Sequence, residues 1–113
     1  IEQTMKQAKA QGYSISLFYV GISSVEESII RIANRVRKGG HNISTEDVLR
    51  RYKGRFEAFR HVLPYCDEIT FYDNENGFVK VAELKNSRFC YTNGYRPKWL
   101  LELVKCAGLQ TEE

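Results

Sequence analysis

Apolar positions along this chain follow two rhythms. Residues 1–11 place Ile1, Met5 and Ala8 on one stripe, the spacing of a helix, and Gly12 can close that helix with a left-handed cap. Residues 14–20 read as a strand. Within it Leu17, Phe18, Tyr19 and Val20 are apolar without alternation, the pattern of a strand covered on both faces. Ser23 with Glu26, or Ser24 with Glu27, has capping-box spacing and predicts a helix running to about Lys38. Val25, Ile29, Ile32, Ala33 and Val36 form its expected buried stripe. Glu27, Arg31, Asn34, Arg35 and Lys38 form a separate polar face, and Gly39-Gly40 stops the helix.

After a short connector, Ser44 with Asp47 can cap one long helix over residues 44–62, with Val48, Leu49, Tyr52, Phe56, Phe59 and Leu63 as its core stripe. Pro64 ends it, because the residue before proline avoids helical angles. Residues 68–73 form a second strand. Asn76-Gly77 marks a tight turn, residues 78–84 return antiparallel, and residues 89–91 suit a further short strand. Pro97 opens a last helix that buries Trp99, Leu100, Leu103 and Val104 and closes at Gly108. The order α, β, α, α, β, hairpin, α predicts an α/β fold. Its parallel sheet has flanking helices and is followed by a C-terminal β-hairpin and helix. Two strands make a thin parallel core, so further strands ahead of Ile1 are expected.

Length agrees with one domain or part of one: 113 residues bury a core without metal or disulfide staples. At 42% hydrophobic and 27% charged, the chain is neither disordered nor collagen-like. The longest apolar run, residues 15–20, is broken by Ser16 and falls far short of the ~20 residues that span a bilayer. The first residues carry no basic-then-apolar leader pattern. Cys66, Cys90 and Cys106 are odd in number and far apart, and neither histidine has a ligand-spaced partner. That usage predicts a reducing, cytoplasmic setting and no structural zinc. His61 with Cys66 reads as a surface histidine beside a small hydrophobe rather than as a metal pair. Asp67, Glu68 and Asp73 flank a strand and read as solvated strand ends, with a Mg²⁺ cluster as the alternative.

Net charge is only +3, but nine of the 17 lysines and arginines lie in residues 31–60. A basic middle suggests a phosphate-bearing ligand, against the plainer alternative of a solvated helix face. Arg31 and Arg35 stand four apart and share a helix face. Gly39 and Gly40 let the chain turn sharply, and the next helix can return Arg51 toward the same space. Convergent guanidinium groups suit a transferring phosphoryl group, whose oxygens carry spread negative charge. His41 can serve as an acid or base near neutral pH, or be a plain loop histidine. Tyr13, Phe18, Tyr19 and Tyr72 fit core packing better than base stacking, and Trp99 reads as core.

Residues 17–26 (Leu-Phe-Tyr-Val-Gly-Ile-Ser-Ser-Val-Glu), 31–43 (Arg-Ile-Ala-Asn-Arg-Val-Arg-Lys-Gly-Gly-His-Asn-Ile) and Arg50-Arg51-Tyr52 together resemble the C-terminal half of zeta-toxin-like P-loop kinases, a group also described as predicted ABC-type ATPases. Residues 66–74 (Cys-Asp-Glu-Ile-Thr-Phe-Tyr-Asp-Asn) fit that family's aspartate–strand–tyrosine–x–asparagine segment. The resemblance spans roughly residues 6–76 and is most specific over 31–52. It implies part of a P-loop-kinase-like sheet and an ATP- and Mg²⁺-dependent phosphotransferase acting on a small acceptor, a UDP-activated amino sugar in zeta toxins proper. An antitoxin protein is the implied partner. It implies a lid over residues 24–62, with the hairpin and last helix at 68–108. Arg31 or Arg35 would match the lid's phosphate-contacting arginine. His41 sits in the glycine-glycine-histidine element, and Arg51 matches the basic position before Tyr52. Zeta toxins proper lack that histidine element and differ in lid length, which leaves the second phosphate-contacting arginine open.

The family's phosphate-cradling Gly-x-x-x-x-Gly-Lys-[Ser/Thr] occurs nowhere in these residues, and its early catalytic aspartate has no counterpart here. The expectation is a C-terminal portion that supplies lid arginines and is inactive alone. A small basic nucleic-acid-binding module is the alternative, weakened by the lack of glycine–aromatic stacking motifs. A protein-interaction fragment with degenerate site residues is a third reading.

Overall fold

A computed structural model describes residues 1–22, 24–39, 44–75 and 77–111, apart from the side chains of Val25 and Glu27. Among the described residues nine α-helices and strands follow one another: α1 (Glu2–Ala10), β1 (Ser16–Gly21), α2 (Val25–Arg37), α3 (Thr45–Lys53), α4 (Arg55–Val62), β2 (Glu68–Asp73), β3 (Val79–Lys85), β4 (Arg88–Tyr91) and α5 (Lys98–Ala107). The four strands form one sheet in the order β1-β2-β3-β4. β1 and β2 are parallel, from Ser16 opposite Glu68 to Gly21 opposite Asp73, and the hairpin strands then run antiparallel. The expected α/β class with a C-terminal hairpin and helix is therefore present in its coarse form.

The core is one cluster. Ile69 and Phe71 of β2, Ala82 and Leu84 of β3 and Phe89 of β4 meet Phe59 of α4 and Trp99, Leu100 and Leu103 of α5. A β-bulge opposite Phe71 and Tyr72 lets the consecutive residues Val81 and Ala82 both be buried. Leu17 and Tyr19 of β1 pack against the same cluster. Their neighbours Phe18 and Val20 point the other way and stay 66% and 47% exposed. The expectation that β1 is covered on both faces is corrected: helices cover one side, so burial alternates along the strand.

Two further expectations change. The single helix over 44–62 is two helices, α3 and α4, meeting at Gly54, which takes the bridge conformation at φ −89° and ψ 3°. Ser44 caps α3 as expected, its Oγ accepting from Asp47 N at 3.2 Å, while Pro64 sits in a 3-10 turn, Leu63–Tyr65, that ends α4. The buried stripe assigned to α2 does not form. None of its described residues is buried, Ala33 and Val36 are exposed, and the helix packs on α3 rather than on the sheet. Phe59 carries α4 into the core. The capping boxes at the start of α2 rest on Ser23 and the Glu27 side chain, which lie outside what is described.

Asp67 pins the amino end of the parallel pair. Its Oδ1 accepts from Lys9 Nζ at 2.7 Å and its Oδ2 from Ile15 N at 2.6 Å. Those hydrogen bonds, Lys9 first, hold its carboxyl below the ordinary value of 3.8. A depressed carboxyl stabilises the fold above its unfolded pKa and loses that contribution as pH falls through its folded pKa. Wild type should accordingly melt higher than Asp67→Asn at pH 7. In thermal melts the gap should narrow from about pH 3.8 downward; a gap independent of pH would remove this role from Asp67.

Candidate functional site

The carboxyl ends of parallel strands are where α/β sheets hold ligands, because the connections there splay apart and leave a crevice. Here that end is built around Gly21 and Asp73, the last residues of β1 and β2. Asp73 is 2% exposed. Trp99 Nε1 donates to its Oδ1 at 2.7 Å, and the Tyr95 hydroxyl donates to its Oδ2 at 3.2 Å. Two donors offset the cost of taking the carboxyl group out of water. Partial burial, then the charge and hydrogen bond of Asp73, raise the Tyr95 phenol above its ordinary pKa of 10.0 and keep it a donor. This corrects the reading of Asp73 as a solvated strand end. Nor does it join a Mg²⁺ cluster with Asp67, which lies at the opposite end of β2, and no metal-holding group of three His, Cys, Asp or Glu stands among the described residues.

The Trp99 ring lies across the end of β1. A Cβ at Gly21 would stand 2.2 Å from Trp99 Cε2, so only glycine fits there. Asn74 N donates to Gly21 O at 3.0 Å and ties the two strand exits together.

Two hollows open on either side of this exit and share Val20 and Ile22. The larger, about 580 Å³, is lined by Ser28, Arg31, Ile32, Asn34 and Arg35 of α2 and by Asn74. Arg31 Nη2 donates to Glu75 O at 2.8 Å, which fixes its side chain beside the end of β2. Arg37 hydrogen-bonds the Asn34 side chain. The structure therefore brings Arg31 and Arg35 together on one wall, as their four-residue spacing predicts. Arg51 is exposed on α3 and lines neither hollow. Its expected convergence with Arg31 and Arg35 is not seen in the lining of these two hollows. His41 lies outside the described residues.

The smaller hollow, about 180 Å³, is lined by Tyr19, Gly21, Arg55 and Trp99 besides the shared pair. Arg55 was not singled out for chemistry by the sequence. Its signal was legible only as one more arginine beside Tyr52 and Phe56, both of which its guanidinium covers, at 3.7 and 4.1 Å from the ring centres. A third hollow, about 560 Å³, lies at the amino end of the sheet between Pro64, Asn86 and Leu109. Its one charged lining residue among those described, Asp67, is already bound to Lys9.

Among the described residues no helix is long and apolar enough to cross a membrane. No family model matches the chain. A protein of Haemophilus influenzae, described as uncharacterized, is 46% identical over 52 residues, which is 46% of this chain. The match spans 37% of that protein's length. No solved structure matches.

The contact of Gly21 with Trp99 sets a stringent test of this end of the sheet. Gly21→Ala should lower stability by about 1–3 kcal/mol, the usual cost of overpacking a close-packed site. Urea unfolding followed by circular dichroism measures it, and an unchanged midpoint would mean that the ring does not press on the β1 exit.

Proposed function

We propose that the larger hollow binds the phosphate groups of a nucleotide, through Arg31 and Arg35, as the cationic side of a phosphotransfer site. The carrying observation is the placement of both arginines on one wall, at the carboxyl end of a parallel strand pair. Guanidinium groups there would neutralise the charge spread over the oxygens of a transferring phosphoryl group. An arginine in that position is worth on the order of 10³–10⁵ in rate.

The hollow suits phosphate oxygens and does not suit Mg²⁺. Its described lining offers two guanidinium groups, a hydroxyl and two amides, and no carboxylate. The chain therefore contributes anion binding, and a phosphate-cradling loop is not among its residues. The reading takes the lid arginines of the resemblance to zeta-toxin-like kinases to be Arg31 and Arg35, which line the hollow, and leaves out Arg51, which does not. ATP with Mg²⁺ is the cofactor this reading implies, a small hydroxyl compound the acceptor and an antitoxin-like protein a partner of the whole assembly.

Titrating the ¹⁵N-labelled chain with MgATP at low ionic strength is expected to move the amides of Val20, Ile22, Ser28 and Asn74 first, with weak affinity on the order of 1 mM. Arg35→Ala should weaken that binding roughly tenfold, about 1.4 kcal/mol, and Arg51→Ala should leave it unchanged. Shifts elsewhere, or shifts reproduced by sodium chloride, would overturn the reading. A steep salt slope with random oligonucleotides and no preference for ATP would favour a nucleic-acid module instead.

A further inference from the structure

The smaller hollow differs from its neighbour in size, polarity and rigidity. We propose that it is a second subsite, which takes a single phosphate-sized oxyanion on Arg55. The Arg55 side chain is 23% exposed. Its Nη1 donates to Tyr52 O at 2.7 Å, and its plane lies against the rings of Tyr52 and Phe56. One hydrogen bond uses one of the five N–H donors of a guanidinium. Glu102 stands 3.9 Å from Nη2, beyond hydrogen-bond reach, so it tempers the charge without capping the donors. A partly desolvated guanidinium whose orientation is already set loses little freedom when it binds, which is the condition for a small anion to be held at all.

Tyr19 supplies the second polar group. Burial pushes its phenol up to about 12, against the opposing pull of the Arg55 charge, so it remains a neutral O–H donor throughout the working pH range. The other walls are Val20, Ile22 and the Trp99 ring. They are apolar, and a less polar surrounding strengthens whatever electrostatic contact forms. The volume of about 180 Å³ corresponds to roughly six water molecules, enough for one phosphate head group and too little for a nucleotide.

The two hollows are separated only by the β1 exit, at Val20 and Ile22. An oxyanion on Arg55 would therefore lie beside a polyphosphate on Arg31 and Arg35. That placement suits an anionic group of the second reactant, and this assignment rests on the nucleotide reading. Occupancy of the subsite does not, and the two are measured separately.

Trp99 is the single tryptophan of the chain and lines this hollow, so its emission reports occupancy directly. The chain is titrated with inorganic phosphate, and in a second arm with glycerol 3-phosphate, against sodium chloride of equal ionic strength. A saturable change in Trp99 fluorescence is expected with phosphate. A stronger response to glycerol 3-phosphate identifies a phosphorylated small molecule as the source, and an equal response identifies the free ion. Arg55→Lys keeps a charge but loses the flat fork, and should weaken binding roughly tenfold. Tyr19→Phe should weaken it severalfold and carries the test if Arg55→Lys does not fold by circular dichroism. Arg35→Ala should leave the response unchanged. A response that never saturates, or that ignores both Arg55→Lys and Tyr19→Phe, overturns the subsite. Loss of the response in Arg35→Ala also overturns it, because the signal would then come from the larger hollow. A normal Trp99 response with no MgATP-dependent amide shifts would sink the nucleotide reading alone.

Discussion

A carboxyl group withdrawn from water at the end of β2 holds three pieces of chain in place. Asp73 cannot be buried without donors, since an unpaired buried polar group costs about 1–3 kcal/mol and a charge costs more. The donors come from far along the sequence, Trp99 on α5 and Tyr95 in the segment before it. Meeting that requirement lays the indole across the end of β1, where it leaves no room for a Cβ at Gly21. The strand exit is thus stripped of side chain, tied to Asn74 through its own carbonyl, and left as a thin partition with a hollow on each side. The site at this end of the sheet is a consequence of how Asp73 is satisfied.

Helix breaks decide which cations reach that end. Arg51 and Arg55 stand four apart and would share a face on one continuous helix. Gly54 divides them between α3 and α4, so that Arg51 remains in solvent while Arg55 turns onto Tyr52 and Phe56 and reaches Tyr19. Arg31 and Arg35 lie on an unbroken helix and stay together. The same spacing produces convergence in one case and separation in the other.

Much of the architecture was legible before any coordinates. The strands at 16–21 and 68–73, the cap at Ser44 and the left-handed close at Gly108 follow local rules that tertiary context did not override. The misses share a physical cause, namely that burial depends on what lies opposite. An apolar run at Leu17–Val20 is compatible with one covered face or two. A carboxylate at the end of a strand is solvated unless a distant indole arrives to bind it. The amphipathic pattern of α2 shows a helix with an apolar side, without showing that, among the described residues, its main packing partner is α3. The two-residue turn at Asn86 and Ser87, with φ of 53° and 64°, has the mirror-image geometry of tight hairpins without the glycine that usually announces it.

The two hollows also differ in what anchors their cations. Arg55 grows from α4, whose Phe59 is part of the core, so its position is set by the same packing that stabilises the fold. Arg31 and Arg35 grow from a helix with no buried side chain among those described, placed by α3 and by the bond from Arg31 to the Glu75 carbonyl. Elements with few buried apolar contacts open at a lower free energy than the core does. The α2 wall can therefore shift with little cost to global stability, while the α4 wall cannot. A polyphosphate that attracts both arginines would draw the α2 wall toward the β1 exit, whereas an ion on Arg55 would find its site already formed. Adaptable charge faces fixed charge across a strand end that is one glycine wide.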